Sequence, residues 1–166
     1  MTQSHEHVDH LAVSIADQTL SLMNDQGRII ASYPVSTALN GAGEQDGSGC
    51  TPRGEHYIRA MVGQGLPENT VFRARRPTGE IYRPELALAH PDRDWILSRI
   101  LWLCGLEPGK NRGPGVDSFR RFIYIHGTPD TEPMGVPRSH GCIRMRNRDV
   151  VALYDRVYPG LRVVIL

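Results

Sequence analysis

The chain has 166 residues, 40% of them hydrophobic, enough for one domain with a packed core and too few to expect two. A formal net charge of +1 makes no electrostatic case for a nucleic-acid partner, and no apolar run approaches the roughly 20 residues of a membrane span. Three cysteines without framework spacing fit a reducing compartment and a free thiol rather than a disulfide scaffold.

Arginine supplies 18 of the 19 basic residues, with Lys110 the one lysine, a choice that suits planar pairing with carboxylates and that codon bias explains equally well. The first ten residues have neither a basic n-region nor an apolar h-region, so no secretory signal is expected. With Met1 as the native start, the expected location is the cytoplasm. His5, Glu6, His7 and His10 have the look of a metal cluster, but they precede any periodic pattern. Residues 1–7 are expected to be a flexible polar tail and residues 8–166 a single folded domain.

Residues 10–15 and 19–23 alternate with period two, Asn24-Asp25-Gln26-Gly27 reads as a turn, and residues 28–33 continue the pattern, which predicts an antiparallel meander. The segment 40–49 holds four glycines and no large apolar residue, so a surface loop is expected there, beside the substrate cleft. Residues 92–104 read as a helix with Asp92 or Asp94 near its start, Gly105 past its end, and Trp95, Ile96, Ile100, Leu103 and Cys104 on one face. A polar loop over 107–115 follows, in which Lys110, Asn111 and Arg112 are candidates for binding an acidic peptide, the alternative being a plain solvated loop. Phe122-Ile123-Tyr124-Ile125 is a buried strand that delivers His126 at its end. A last helix is capped by Asn147, with Val150, Val151, Tyr154 and Val157 on one stripe, and Gly160 ends it before a closing strand over 161–166. There is no internal repeat.

The chemistry is concentrated in Ser139-His140-Gly141-Cys142-Ile143-Arg144, with His126-Gly127-Thr128 beginning sixteen residues before the cysteine. A thiolate is the attacking form of cysteine, and an imidazole that takes the thiol proton generates it. Gly141, lacking a Cβ, permits a tight turn that aims the amides of Gly141 and Cys142 at one substrate oxygen. Such an oxyanion hole is worth about 3–4 kcal/mol per donor. Cys50 and Cys104 are expected to serve packing.

The run His-Gly-Thr, then a loop with Gly135 and Pro137, then Ser-His-Gly-Cys-Ile-Arg-Met resembles the catalytic core of the L,D-transpeptidase (YkuD-type) family. The similarity extends to Thr51-Pro52-Arg53-Gly54 upstream and to the final helix and strand, so that it covers about residues 8 to 166. The resemblance implies a mainly β fold, a mixed sheet curled into a sandwich-like arrangement with one or two helices. It implies attack by Cys142 on the L-D bond before the terminal D-alanine of a peptidoglycan stem tetrapeptide. His126 is then the base, with the Gly127 carbonyl orienting it, Gly141 and Cys142 hold the oxyanion, and Ser139 and His140 support the loop or the substrate. Arg144 either pairs with a carboxylate or braces the loop. No cofactor is expected.

Water as the acceptor gives an L,D-carboxypeptidase that trims muropeptides for recycling, the expectation favoured by the start of the chain, whereas an amine gives a 3-3 cross-link. Two readings from other classes stand beside these. His126, His140 and Cys142 ligating zinc would make a metallohydrolase, against which the His-x-Cys spacing counts. A cell-wall binding module without chemistry is the other, against which every motif position carries the reactive residue type.

Overall fold

Alternation of period two builds the first three strands, β1 (His10–Ser14), β2 (Thr19–Met23) and β3 (Ile29–Pro34), which pair antiparallel in sequence order. Leu11, Val13, Leu20 and Leu22 point inward and are fully buried. Asn24 closes the turn between β2 and β3, its Oδ1 accepting from the amides of Gln26 at 3.0 Å and Arg28 at 2.8 Å. The computed structural model describes residues 6–166. The expected tail therefore lies largely outside the described residues, and within them Glu6 accepts from Asn24 Nδ2 at 2.8 Å.

Seven further strands follow: β4 (Gly54–Val62), β5 (Thr70–Arg73), β6 (Arg76–Ile81), β7 (Ile96–Gly105), β8 (Tyr124–Thr128), β9 (Ile143–Arg146) and β10 (Arg162–Ile165). They extend the meander into one curled sheet of order β3-β2-β1-β10-β4-β7-β5-β6, with β8 joined to β7 and β9 to β8. The sheet is mixed because β1 with β10 and β8 with β9 run parallel. Two helices, α1 (Pro84–Ala89) and α2 (Asn147–Tyr154), complete the described elements, and α2 packs across β7, β8 and β9. Leu101, Leu103, Ile125, Ile143, Met145, Leu153 and Val163 share one core with the first strands. Each large aliphatic side chain there contributes about 1.5–3 kcal/mol by leaving water.

The helix expected over 92–104 is a strand, β7. The run Ile96-Leu97-Ser98-Arg99-Ile100-Leu101 is buried almost without interruption, because β7 has neighbours along both edges and cover on both faces. A continuous apolar run of that kind satisfies helical spacing by accident. Ser98, at φ 70°, makes a bulge between Leu97 and Ile100.

Asn147 does not cap α2, whose cap position is Arg146. Its fully buried amide instead donates to the Thr128 carbonyl at 2.9 Å and to Asp130 Oδ1 at 3.1 Å, and its Oδ1 accepts from Ser98 Oγ at 2.6 Å. Asn147 thus ties the β7 bulge, the end of β8 and the start of α2 together. The buried stripe of α2 includes Leu153 where the pattern pointed to Val151.

Candidate active site

The parallel register of β8 and β9 sets His126 opposite Arg144. Period two then places Tyr124 and His126 on the same face as Cys142 and Arg144, while Ile125, Ile143 and Met145 go to the core. Those four side chains line a pocket of about 490 Å³, together with Asp94, Ile96, Phe122, Ser139 and His140 and with Ala74 and Arg75 from the β5–β6 turn. A larger hollow of about 720 Å³ between β6 and α1 carries no nucleophile.

His126 is 1% exposed, and its Nδ1 lies 2.7 Å from the Gly127 carbonyl. With Nδ1 carrying the proton that this carbonyl accepts, Nε2 keeps its lone pair. Burial holds the imidazole below its ordinary pKa, which keeps it neutral and basic at neutral pH. Gly127 is required by close approach: a Cβ there would lie 2.5 Å from Asn147 Oδ1 and 2.6 Å from the Leu97 carbonyl oxygen.

Cys142 is partly exposed at the rim, but its thiol is recessed among Phe122 and Tyr124. Sγ donates to the Phe122 carbonyl at 3.3 Å and accepts from the Tyr124 amide at 3.4 Å. Burial pushes the thiol up to about 12, against the opposing pull of the Tyr124 amide, Arg144 and Arg121. Both burial effects favour the neutral forms, thiol and imidazole, over thiolate and imidazolium. Phe122 holds its carbonyl at the thiol from φ 57°, a left-handed conformation that costs a bulky residue on the order of 1–3 kcal/mol.

Gly141 also has a positive φ, 135°. A side chain there would meet Ile123 Cδ1 at 3.2 Å and the Cys50 carbonyl at 3.3 Å. The Gly141 carbonyl accepts from Thr51 Oγ1 at 2.9 Å. Ser139, almost wholly buried, donates from Oγ to the Cys142 carbonyl at 2.5 Å and accepts from the Gly141 amide at 3.2 Å. Of the two amides expected to hold an oxyanion, Gly141 is thus engaged by Ser139, while the Cys142 N–H has no acceptor among the described residues.

Arg144 pairs with Asp94 at 3.4 Å, and its backbone exchanges two hydrogen bonds with Ser36, so it both faces a carboxylate and braces the loop. His140 is exposed and joins the pocket to a smaller cleft of about 250 Å³ lined by Asp92, Asp94 and Glu132. Among the described residues no three His, Cys, Asp or Glu side chains are grouped to hold a metal.

Asn111 is a correction. It is fully buried, with Nδ2 donating to the carbonyls of Arg53 at 3.0 Å and Glu55 at 3.1 Å and Oδ1 accepting from the Glu107 amide at 2.9 Å. It fastens the 107–115 loop onto β4 and has no donor left for a substrate. Arg112 is exposed outside the pocket, and Lys110 faces Glu107 at 3.7 Å. The 40–49 loop does not line the pocket either; Arg121 Nη2 donates to the Cys50 carbonyl at 2.7 Å, and that carbonyl backs Gly141. Cys50 and Cys104 are half-buried and off the pocket lining. Sequence reasoning missed Arg75, Phe122 and Asp94, which no local motif marks.

A family model described as the YkuD L,D-transpeptidase catalytic domain matches residues 9–165. The putative L,D-transpeptidase YkuD of Bacillus subtilis is 29% identical over 156 residues, covering 94% of this chain and 65% of that protein. The probable L,D-transpeptidase YbiS of Escherichia coli is 44% identical over 43 residues, 26% of this chain and 14% of that protein. The chain thus spans less than two thirds of the length of these curated relatives. Among solved structures, an L,D-transpeptidase from Mycobacterium smegmatis has a TM-score of 0.58 at 18% identity, covering 96% of this chain and 59% of that one. L,D-transpeptidase 3 from Mycobacterium tuberculosis, with a faropenem-derived adduct, has a TM-score of 0.54 at 17% identity, covering 93% and 58%. With a family match across nearly its whole length and a mainly β curled sheet shared with those structures, the chain belongs to the YkuD-type L,D-transpeptidase catalytic domain family.

Proposed function

We propose that the protein cleaves the L-D bond before the terminal D-alanine of a peptidoglycan stem tetrapeptide through a thioester at Cys142. The observation that carries this reading is the tautomer lock on His126: Nδ1 is committed to the Gly127 carbonyl, so Nε2 is the free base in the pocket that holds the thiol. Nε2 takes the thiol proton as Sγ bonds to the carbonyl carbon, so a stable thiolate need not form first. The Cys142 N–H receives the developing oxyanion. Collapse breaks the C–N bond, and D-alanine leaves with the proton returned by the imidazolium.

Hydrolysis is the simplest second half, because water at the vacated position needs only the same Nε2 to lose its proton. The thioester then yields a tripeptide. A second reading, transfer to an amine of another stem peptide with formation of a 3-3 cross-link, is favoured by the smaller cleft. Its carboxylates at Asp92 and Glu132 suit an ammonium group, Asp94 being paired with Arg144, and it meets the pocket at His140 and Arg144.

Incubation with purified tetrapeptide, read by mass spectrometry, tests both halves. Loss of one alanine, abolished in Cys142→Ala and insensitive to a strong chelator, supports the reading; cross-linked dimer as the main product selects the second. An L,D-transpeptidase of this fold, LdtMt1, is known in complex with imipenem. One-to-one acylation of Cys142 by imipenem is expected here too, and an unmodified thiol would favour the binding module.

A further inference from the structure

Arg75 lies in the two-residue turn between β5 and β6, where Ala74 at φ 48° and Arg75 at φ 63° are both left-handed. The turn lines the catalytic pocket. The guanidinium carbon is 4.7 Å from the Trp102 ring centre and 4.9 Å from that of Phe122, and Nη1 donates to the Tyr124 hydroxyl at 3.0 Å. Trp102 is itself stacked on Phe119 at 4.0 Å, so the platform under the cation is rigid. The other pocket arginine, Arg144, has Asp94 as counter-ion. Arg75 has aromatic rings and a hydroxyl, and no carboxylate pairs with it among the described residues.

A half-buried guanidinium with its stem fixed by the backbone and its face fixed by two rings loses little freedom on binding an anion, and its planar fork matches a carboxylate. We propose that Arg75 binds the C-terminal carboxylate of the donor peptide and so makes the enzyme act one residue from a free end. The assignment rests on the function proposed above: the carboxylate of the departing D-alanine belongs to the residue next to the scissile carbonyl. Consecutive Cα atoms are about 3.8 Å apart, so a donor with its scissile bond at Cys142 brings that anion into the same pocket.

The test compares a tetrapeptide ending in a free carboxylate with the same peptide ending in a primary amide. For the wild-type enzyme kcat/KM is expected to fall about 10- to 100-fold with the amide, the range of a lost hydrogen bond to a charged group. In Arg75→Gln the acid-to-amide ratio of kcat/KM is expected to fall to within about threefold of one, because the group that tells the two ends apart is lost. Arg75→Lys, with charge but no fork, is expected to keep an intermediate preference. Alkylation of Cys142 by iodoacetamide reports whether the hairpin variant has disturbed the thiol and is expected to stay within about twofold. An acid-to-amide ratio near one in the wild type, or a ratio unchanged in Arg75→Gln with normal alkylation, overturns the assignment and leaves the proposed function standing. A wild-type enzyme that cleaves neither peptide overturns the function and the assignment with it.

Discussion

Thr51 Oγ1 donates to the Gly141 carbonyl at 2.9 Å while accepting from the Ala38 amide at 3.0 Å, both inside a fully buried site. Because a peptide group is planar and trans, holding the Gly141 carbonyl from one side directs the Cys142 N–H to the other. Under the proposed mechanism Thr51 is therefore a positioning residue for the oxyanion amide, ninety residues distant in the chain.

Thr51→Val keeps the shape and removes the donor. The expected result is a loss of about 10- to 100-fold in kcat with little change in KM, part of the cost of losing an oxyanion donor outright. Thr51→Ser restores the hydroxyl and should recover most of it. Equal losses in both variants would mean that packing, not the hydrogen bond, matters at this position.

The resting thiol at about 12 and the depressed His126 pKa together set the pH profile. The base is competent when neutral, so kcat/KM should rise with pH through a pKa below the usual 6.5 of histidine and stay flat through neutrality. At pH 7 a pKa near 12 leaves a thiolate fraction on the order of 10⁻⁵, so iodoacetamide should label Cys142 slowly. Rapid labelling that titrates near pH 6 would instead reveal a thiolate-imidazolium pair.

Stability should depend on the same histidine together with His56, which is also buried and held below its ordinary pKa, with Nε2 2.8 Å from Ser118 Oγ. A group whose folded pKa is depressed contributes stability that is complete above the unfolded value and is lost as pH falls toward the folded one. Thermal melting should therefore be unchanged from pH 8 to about 7 and decline below about 6.5, where the unfolded imidazoles begin to take protons. His56→Gln should flatten part of that decline, and a decline of unchanged steepness would remove His56 from the account.

The parts of this site written in consecutive residues were legible in that Cys142 and His126, each in a short motif, both line the pocket. The buried strand expected over 122–125, however, begins only at Tyr124, holds His126 in its middle and leaves Phe122 half exposed at φ 57°. What period alone could not resolve was β7, since burial on both faces erases alternation. Asn111 was misjudged because an asparagine in a Gly-Pro loop reads the same whether it meets water or three buried backbone groups. Arg75 was invisible because its position over Trp102 and Phe122 exists only once the β5–β6 hairpin has folded onto β7. Helix α1, with Pro84 in its first turn and Glu85 beside it, carried a start signal in the least patterned third of the chain, but it has no buried residue to complete an amphipathic stripe.

Gly127→Ala would force a methyl group against Asn147 Oδ1 and the Leu97 carbonyl, neither of which has room to retreat. Overpacking of that severity costs about 3 kcal/mol, which for a domain of this size lowers Tm by about 6–12 °C. The same change displaces the carbonyl that holds His126 Nδ1, so activity should fall by more than the lost folded fraction explains. A stable, fully active Gly127→Ala protein would show that the approach of β8 to Asn147 is looser than 2.5 Å.

The β5–β6 turn offers a prediction of opposite sign. Two-residue hairpin turns with both central residues left-handed favour Asn-Gly, and here the pair is Ala74-Arg75. Asparagine tolerates the left-handed region better than alanine does, so Ala74→Asn should stabilise the protein by about 0.5–1 kcal/mol, or about 1–4 °C in Tm. Arg75 occupies the position where glycine would relieve the most strain, but Arg75→Gly also gives up the stacking on Trp102 and Phe122 and the hydrogen bond to Tyr124, so no rise in Tm is expected from it. If the arginine is there for the substrate, the two substitutions separate: Ala74→Asn keeps the preference for a free C-terminal carboxylate and Arg75→Gly loses it. Loss of that preference in both would place the selectivity in the shape of the turn and not in its charge.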